Sequence, residues 1–427
     1  MRNLSTLAWR VYDAPTKPWH GVVADTEGDD SVYVMRVERR DGVSQLTLAH
    51  ITPTGTEELA VLEVASAPPH VPDVADFRLL ADGGSSVNHM PAICVIGSGG
   101  DIVLMPVDEE ASAPAEVVGS VDQGILAAAW SPEEDVLVLI TGGEKRLIVM
   151  TREFEVMSET MLSTEAFGDD QPVNVGWGSK STQFHGSEGK QAAMAAANAP
   201  EESDPRGPLV PEDDGLPRIS WRGDGAFFVT SSAEASNDAV HRILRTYTRT
   251  GTLSATSDRS VRGISHVLAC RPTGNLIATT QRMGGPWAPG RHGRHDVVFF
   301  ERNGLRHGEF SLREEHGSVP DVPGVSAEPL PPWSCEHQIR LVSWNADGSV
   351  LAVVLQRAGL HVLQLWMSGN YHWYLKHEST YEHLHAMTWH PEQPLTWYVS
   401  HARVEKRTMC LETCLLYTSP SPRDVEE

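Results

Sequence analysis

The sequence has little that would commit it to export, to a membrane or to a disulfide framework. Only five of its 427 residues are cysteine, at positions 94, 270, 335, 410 and 414. An odd number without paired spacing predicts a reduced compartment. No stretch approaches eighteen consecutive apolar residues, and the first fifteen residues lack the apolar segment of a signal peptide. We therefore expect a cytosolic chain, with nuclear access open, and no membrane span.

Catalytic motifs are also absent from the sequence. It holds no G-x-S-x-G nucleophile motif. The run from Gly186 to Lys190 fails the phosphate-loop pattern, because Phe184 stands where that pattern requires glycine. Four potential metal ligands lie on two inserts without an H-x-x-x-H or C-x-x-C pattern: His292, His295, Cys335 and His337. The sequence predicts no enzyme, no cofactor and no metal ion.

Positive charge is scarce overall but concentrated in one region. The chain carries 34 Lys and Arg against 57 Asp and Glu, a formal net charge of −23, which argues against broad affinity for nucleic acid. Residues 218–313, however, hold fourteen arginines, no lysine and seven acidic residues. This region is either solvated loop charge or a basic surface for an acidic partner or RNA. The candidate surface residues are Arg242, Arg245, Arg249, Arg291 and Arg294.

What the chain does contain is clearest from Gln338 to Glu378. Four short apolar or alternating runs follow one another there, separated by turn sequences such as Asn345-Ala346-Asp347-Gly348. Four antiparallel strands in about forty residues match one blade of a β-propeller. A single four-stranded sheet cannot cover both of its faces, so it needs neighbours of the same kind.

The sequence supplies those neighbours as a repeat. Each copy is an apolar strand that ends in a bulky anchor, followed by a polar turn and a second apolar run. The anchors are Trp130, Trp177, Trp221, Cys270, Trp344 and Trp389. They lie 47, 44, 49, 74 and 45 residues apart, and two inserts rich in Gly, Pro and charge account for the long interval. We predict an all-β fold, a seven-bladed propeller of WD-type repeats over residues 1–405.

The two ends of the chain call for separate interpretations. Residues 2–12 hold apolar positions without a partner hairpin of their own, so we expect them to complete the last blade and close the ring. Residues 406–427 lack blade periodicity, and their LLYTSPSPRD run resembles translated adaptor sequence. We expect that segment to be an unstructured, non-native tail, with a natural continuation missing.

The longest interruption of the repeat runs from Trp177 to Pro217. Its second half is acidic and rich in proline, as in a mobile loop. Its first half, SKSTQFHGSEGK, mixes an aromatic side chain, histidine, lysine and small residues. Long loops on rigid scaffolds often carry recognition. We therefore predict a partner-contact loop, and its candidate residues are Phe184, His185, Gly186 and Lys190.

Several strings in the chain resemble the N-terminal region of the largest subunit of the Elongator complex. They are VGWGSKSTQFHGSEGKQAA (175–193), ISWRGDGAFFVTSS (219–232), RPTGNLIATTQ (271–281), DVVFFERNGLRHGEFSL (296–312), SWNADGSVLAVVL (343–355) and LQLWMSGNYHWYLK (363–376). The resemblance covers roughly residues 1–405 and is weaker over residues 14–120. It implies the first of two successive propellers in a longer chain, followed by a helical scaffold and a dimerisation region.

The same resemblance implies a function and partners. The Elongator complex modifies the wobble uridine of transfer RNA, and its chemistry lies in a separate acetyltransferase-like subunit. This chain would then be a non-catalytic scaffold that contacts that subunit and a propeller subunit, and that meets transfer RNA indirectly or weakly. Two alternatives stay open at this point: a coat or nucleoporin-type scaffold, and a propeller hydrolase. The hydrolase would need carboxylates or histidines that converge on the central channel from several blades.

Overall fold

The computed structural model consists of β-strands and their connections. It describes residues 4–13, 21–25, 31–52, 54–81, 91–107, 114–162, 207–235, 239–258, 261–283, 295–313, 338–357, 359–369, 372–403 and 408–416. All regular elements in these ranges are strands. None of the described residues forms a helix with the length and apolar character needed to span a membrane.

The strands form seven four-stranded antiparallel sheets, which are the blades of the propeller. Six blades each use four consecutive strands. Blade 1 comprises β2 (Gly21–Ala24), β3 (Val32–Arg40), β4 (Val43–Ile51) and β5 (Thr56–Ala65). Blade 2 comprises β6 (Val74–Leu80), β7 (Ala92–Gly97), β8 (Asp101–Pro106) and β9 (Glu116–Ser120). Blade 3 comprises β10 (Ile125–Trp130), β11 (Val136–Thr141), β12 (Arg146–Thr151) and β13 (Val156–Met161). Blade 4 comprises β14 (Arg218–Trp221), β15 (Phe227–Ala235), β16 (Val240–Thr248) and β17 (Leu253–Thr256). Blade 5 comprises β18 (Ala269–Cys270), β19 (Ile277–Arg282), β20 (His295–Phe300) and β21 (Arg306–Ser311). Blade 6 comprises β22 (Gln338–Trp344), β23 (Val350–Arg357), β24 (Leu360–Gly369) and β25 (His372–Tyr381).

The seventh blade joins the two ends of the chain. Its strands are β26 (His383–Trp389), β27 (Thr396–Arg403), β28 (Thr408–Leu416) and β1 (Leu4–Asp13), in the spatial order β26, β27, β28, β1. The N-terminal strand therefore completes the last blade, and the expected closure of the ring is confirmed. The prediction of an unstructured tail from residue 406 is wrong for Thr408–Leu416. That segment is ordered by backbone pairing with β27 on one side and with β1 on the other, partners distant in sequence.

Blade 6 shows why these residues form strands. The residues of β23 from Val350 to Leu355 are valine, leucine and alanine, and all are buried on both faces of the sheet. The turn before it closes through the Gly348 amide, which donates to the Asn345 carbonyl over 3.0 Å. Gly348 has φ +71°, a left-handed conformation that glycine adopts without a Cβ clash. The turn type and the apolar run together fix the hairpin.

The hydrophobic core lies between the blades. The described residues form seven apolar clusters, and each one joins two neighbouring blades: 1 with 2, 2 with 3, and so on to 7 with 1. In the cluster of blades 7 and 1, for example, Tyr398 packs with Val32 and Ile51. Each blade thus covers a face of the next, which is how a set of two-faced sheets buries its apolar surface.

The antiparallel order also defines two faces of the ring. Strand direction alternates within a blade, so connections between second and third strands share one face with the blade-to-blade connections. We call this the upper face. Connections between first and second strands, and between third and fourth strands, lie on the lower face. The first strand of each blade is innermost and lines the central channel, since first strands of adjacent blades contact one another around most of the ring.

Candidate functional site

The repeated anchors lie at the interfaces between blades. Five of the six are buried: Trp130, Trp221, Cys270, Trp344 and Trp389. The sixth, Trp177, lies outside the described residues. Each buried anchor belongs to the cluster that its blade shares with the preceding blade. The anchors therefore serve packing of the ring.

Three anchors also bond to the preceding blade at the same place. The indole N–H of Trp221 donates to the Ala129 carbonyl over 3.1 Å, and that of Trp389 donates to the Ser343 carbonyl over 3.3 Å. The Cys270 thiol lies 3.3 Å from the Ser220 carbonyl, to which it donates. In every case the acceptor is the residue before the previous anchor. Burial raises the pKa of the Cys270 thiol to about 12, although the bond to Ser220 opposes the shift. This thiol is therefore neutral.

The predicted basic surface is wrong for two of its five residues. The side chains of Arg242 and Arg245 are 1% and 3% exposed. Arg245 forms an ion pair with Glu234, and its Nη2 donates to that carboxylate over 2.8 Å. Both arginines lie on β16, whose two faces are covered by neighbouring blades and by the upper-face segment 207–217, so their charges face acidic partners inside the protein.

Of the other three arginines, Arg249 alone lies in the described part of the chain, and its charge is paired. Arg249 is 30% exposed and pairs with Asp135 and Glu133 of blade 3, which links two blades on the lower face. Exposed pairs of this kind contribute little stability and leave no net charge to attract a polyanion. Arg291 and Arg294 lie outside the described residues, so their contribution to a surface stays a prediction.

A buried charge network occupies the upper face where blades 4 and 5 meet. The acidic run Glu212 to Asp214 enters this region just before β14. Arg242 binds Asp213 with two nitrogens, its Nε donating over 2.6 Å, and also donates to the Leu216 carbonyl over 3.1 Å. The Asp213 side chain has no solvent exposure. A two-pronged guanidinium–carboxylate pair with further backbone bonds is the geometry that compensates burial of both charges.

Glu212 extends the network into blade 5. Its carboxylate accepts from Arg282 Nη1 over 2.7 Å and lies 2.6 Å from His295 Nε2. Burial alone would raise the pKa of Glu212, but the bond to His295 and the charge of Arg282 hold it below its usual value. The carboxylate is therefore ionised at neutral pH. Because Glu212 lies before blade 4 and its partners lie in blade 5, this contact attaches the segment 207–217 to blade 5.

Three groups of the network are close enough to suggest a cation site. Ligand atoms of Asp213, Asp214 and His266 all lie within 4.8 Å of one another. Arg242 and Arg218 already bind the two carboxylates, however, and a cation would have to displace both guanidinium groups. Burial lowers the pKa of His266, against the charge of Asp214, so the imidazole is neutral. We interpret the cluster as part of the ion-pair network.

The first strands that line the central channel carry few ionisable side chains. In the seven described first strands the ionisable side chains are three arginines, two histidines and one carboxylate: Arg78, Arg218, Arg340, His383, His385 and Asp76. Burial raises the pKa of Asp76 to about 6, although the neighbouring Arg78 opposes the shift. A hydrolase that works with paired carboxylates has no second carboxylate available on these strands.

One side of the channel opens into a cavity of about 610 Å³. It lies where first strands of blades 6, 7 and 1 approach one another, and Arg340, His361 and His385 are its ionisable lining residues. Leu341, Val354, Leu384, Met387 and Phe77 supply apolar walls. Sequence reasoning missed this site. Its signal was Arg340 and His385 near the start of β22 and β26, since the corresponding part of β10 is apolar.

The predicted partner-contact loop lies outside the described residues. Phe184, His185, Gly186 and Lys190 all belong to the interval 163–206. The structure describes both flanks of that interval: β13 before it and the charge network after it. The role of the loop therefore stays a prediction.

Comparison with known proteins bears on the whole chain. A family model described as the ELP1 first N-terminal beta-propeller matches residues 1–392. The chain is 32% identical to Elongator complex protein 1 of Mus musculus over 422 residues, which cover 93% of this chain and 27% of the relative. It is 38% identical to Elongator complex protein 1 of Oryctolagus cuniculus over 320 residues, 72% of this chain and 21% of the relative. Among solved structures, the Cps50 (Swd1) β-propeller domain of Myceliophteria thermophila aligns with 96% of this chain and 100% of that domain, at 12% identity and a TM-score of 0.49.

Proposed function

The chain belongs to the family of Elongator complex protein 1 first N-terminal β-propellers, and from that membership we propose that it is a non-catalytic scaffold of the Elongator complex. In this role it supports modification of the wobble uridine of transfer RNA by holding other subunits in place. The family membership is the observation that carries the proposal. The relatives are, by their name, subunits of a multi-subunit complex.

The size of the match supports a role in assembly. The chain spans about a quarter of the length of the curated relatives it matches, 27% of the mouse protein and 22% of the fission yeast protein. A rigid ring at one end of a long chain is suited to present loops to partners. We propose the acetyltransferase-like subunit and the propeller subunit of the complex as those partners, in the cytoplasm, with the nucleus as a second location.

The distribution of reactive side chains supports the absence of catalysis. The described first strands carry a single carboxylate, Asp76, and the anchors are used for packing between blades. The described arginine, aspartate and glutamate side chains between blades 4 and 5 bind one another in ion pairs. An acid–base pair needs two groups within reach of one substrate. The channel strands that the structure describes carry no pair of carboxylates for this purpose.

The partner-contact loop provides the test of the scaffold role. Phe184, His185 and Lys190 would be replaced together by alanine in the full-length protein, and Arg146→Gln, an exposed arginine on blade 3, would serve as the control. We expect the triple variant to fold with an unchanged melting temperature, to recover less of the other subunits on affinity purification, and to lower wobble-uridine modification in cells. The control should match the wild type.

Two results would contradict parts of this proposal separately. Normal recovery of subunits and normal modification in the triple variant would remove the loop assignment and leave the scaffold role. Turnover of acetyl-coenzyme A, a nucleotide or a peptide by the purified 427-residue chain would overturn the scaffold role itself.

A further inference from the structure

The cavity between blades 6, 7 and 1 is lined by an arginine and a histidine that sit on β-bulges. Pairing of β22 with β23 shifts between Ile339 and Leu341, so Arg340 is the extra residue of a bulge. Pairing of β26 with β27 shifts between Leu384 and Ala386, so His385 occupies the same position in the next blade. A bulge bends its strand and redirects the extra side chain. Both side chains line the one cavity.

The bulge itself belongs to the architecture, but its chemistry changes around the ring. Blades 2 and 3 have the same bulge in their first strands, and its extra residues there are Ala75 and Leu126. Blades 6 and 7 place a guanidinium and an imidazole on it instead. Since an apolar residue serves the bulge equally well, the polar side chains of Arg340 and His385 need another explanation.

Arg340 is held in position without being neutralised. Its Nε and Nη2 donate to the Gln356 amide oxygen over 3.0 and 2.6 Å. Among the described residues Arg340 forms no ion pair, and no carboxylate lines the cavity. Other exposed arginines of the chain do have acidic partners, such as Arg146 with Glu144 and Glu159. In a chain of net charge −23, a fixed arginine without a carboxylate is a distinct feature.

His361 adds a second polar group to the same wall. It is the register partner of Gln356 across β23 and β24, which places it beside the Arg340 anchor point. Its Nδ1 is buried without a hydrogen-bond partner among the described residues. Its ring centroid lies 6.3 Å from that of His383. The imidazole thus adds a polar group to a wall that is otherwise mostly aliphatic.

We propose that this cavity binds a short protein segment that carries an acidic side chain next to apolar side chains, with the carboxylate on Arg340 and the apolar groups against Leu341, Leu384 and Met387. The site is separate from the assembly role proposed above and does not depend on it. A volume of about 610 Å³ is of the size that holds several side chains. Guanidinium groups recognise carboxylates with two parallel bonds, and the Gln356 contact fixes the plane of the Arg340 fork in advance.

The walls favour a peptide over a nucleic acid. Single-stranded nucleic acid is usually held by a positively charged groove with exposed aromatic side chains for stacking bases. Here the only aromatic ring other than imidazole in the lining is Phe77, and the described lining is otherwise mostly aliphatic. The net charge of −23 opposes the approach of a polyanion but penalises a single carboxylate far less.

An array of octapeptides tests the proposal with the 427-residue chain. One set places Asp or Glu among Leu, Met and Phe, a second set replaces each acid by its amide, and a third replaces it by phosphoserine. The best binders are then measured by fluorescence anisotropy, with a single-stranded RNA oligonucleotide as a further probe. We expect the acidic set to bind better than the amide set.

Two variants locate the binding, and one controls for charge. Arg340→Gln removes the cation, and Gln356→Glu keeps the shape of its partner but supplies a carboxylate that neutralises it. Each should weaken binding of the acidic peptides about tenfold, the loss expected for one charge-assisted contact. Arg146→Gln removes an exposed charge elsewhere and should bind like the wild type. Thermal melting should show all three variants folded, because both arginine side chains and the substituted amide lie at or near the surface.

Three outcomes would overturn the proposal. Equal binding of acidic and amide peptides would remove the carboxylate from it. Unchanged binding in Arg340→Gln and Gln356→Glu would remove the cavity. Preference for the phosphoserine peptides or for the oligonucleotide would show a phosphate site instead.

Discussion

At the scale of single residues, the anchors show how one side chain can hold two blades together. Trp344 is the example with the most described contacts. Its ring packs near Phe299 and Trp373, with centroid distances of 6.1 and 5.9 Å, and the Arg271 guanidinium lies 5.3 Å from its centroid. Large buried aromatic side chains dominate core energetics, and a cation over the ring adds to them. The anchor thus joins blade 5 to blade 6 through shape and charge.

Replacing Trp344 by alanine should destabilise the protein strongly. The side chain is 7% exposed, so truncation loses its burial and leaves a cavity, at a cost of about 3–5 kcal/mol. Tyr374, 49% exposed on the outer strand of the same blade, is the control, and Tyr374→Ala should stay within about 0.5 kcal/mol. Chemical denaturation of the two variants measures both values. Similar midpoints for both would contradict the anchor role.

The pair of Arg242 and Asp213 should behave as a buried ion pair and not as a surface contact. Arg242→Met leaves the Asp213 carboxylate buried without its cation, which should cost about 3–5 kcal/mol. The double variant Arg242→Met, Asp213→Leu removes both charges and should recover a large part of that loss. Arg249→Met, in a half-exposed pair, should cost under about 1 kcal/mol. Equal losses for Arg242→Met and Arg249→Met in denaturation experiments would contradict this interpretation.

His266 should make stability depend on pH just below neutrality. Burial lowers its pKa, with the charges of Asp214, Arg218, Asp213 and Arg242 around it. The unfolded chain therefore binds this proton first, at about pH 6.5, and the free energy of unfolding falls as the pH drops below that value. One proton gives a slope of at most about 1.4 kcal/mol per pH unit.

Comparison with His266→Gln isolates this effect. Denaturation midpoints between about pH 7.5 and pH 6 should fall less in the variant than in the wild type. Below pH 6 the raised pKa of Asp76 acts in the opposite direction, so the higher range is the informative one. Val156→Ala, at a position 58% exposed and without an ionisable group, is the control and should keep the wild-type slope. A variant with an unchanged slope would show that His266 does not titrate as its surroundings predict.

The positions of the anchors could be predicted from the sequence pattern, whereas the surroundings of the arginines could not. An apolar strand that ends in tryptophan repeats at a nearly constant interval, and a repeated residue at a strand end has one simple explanation, packing against an equivalent neighbour. Arg242 and Arg245 gave no such signal. Their burial follows from Asp213, 29 residues away, and from Glu234 across the hairpin of β15 and β16. Pairings of this kind depend on the three-dimensional arrangement, so a count of arginines in a window could not distinguish them from surface charge.

At the scale of strands, β1 is the element on which closure of the ring depends. Its backbone pairs with β28 from Leu4 to Asp13, with one register shift between Thr6 and Ala8. The seventh blade is therefore built from strands at opposite ends of the sequence. Such long-range pairing costs loop-closure entropy, which the rest of the ring offsets by bringing the two ends together.

Deleting residues 1–13 should open the seventh blade. The deletion exposes an unpaired edge on β28, and unpaired edges promote aggregation. We expect a melting temperature lower by several degrees and the appearance of higher oligomers on size-exclusion chromatography. A chain that lacks only residues 1–3 keeps all of β1 and is the control. Wild-type melting of the longer deletion would contradict a closing role for β1.

The strands that sequence reasoning found and missed differ in what orders them. β22 to β25 follow one another with turn residues between them, so a local window contains their whole blade. β28 pairs with β27 before it and with β1 at the far end of the chain, and its nine residues carry no turn signal that defines a hairpin. The cavity was missed for a related reason, since its wall combines β2, β6, β22 and β26. Sites made by several blades require the closed ring before their residues can be grouped.

At the scale of the whole molecule, negative charge prevails and several arginines are neutralised by acidic partners. The chain has a net charge of −23, and two of the three arginines on the described channel strands, Arg78 and Arg218, pair with Glu134 and Asp214. Two arginines of the predicted basic surface, Arg242 and Arg245, are turned inward to acidic partners. Long-range attraction of a polyanion depends on net charge and is screened by salt, so a single unpaired arginine adds little to it.

This distribution predicts weak binding of transfer RNA by the chain alone, with a shallow dependence on salt. A protein that neutralised six phosphates would lose affinity with a log–log salt slope of roughly −4 to −5. We expect a slope no steeper than about −2 between roughly 50 and 200 mM salt, measured by anisotropy with labelled transfer RNA. Arg340→Gln should leave that weak binding unchanged, because a bulky duplex cannot enter a cavity of about 610 Å³. A steep slope would mean that residues such as Arg291 and Arg294 supply a phosphate-binding surface. The chain would then bind RNA directly through that surface.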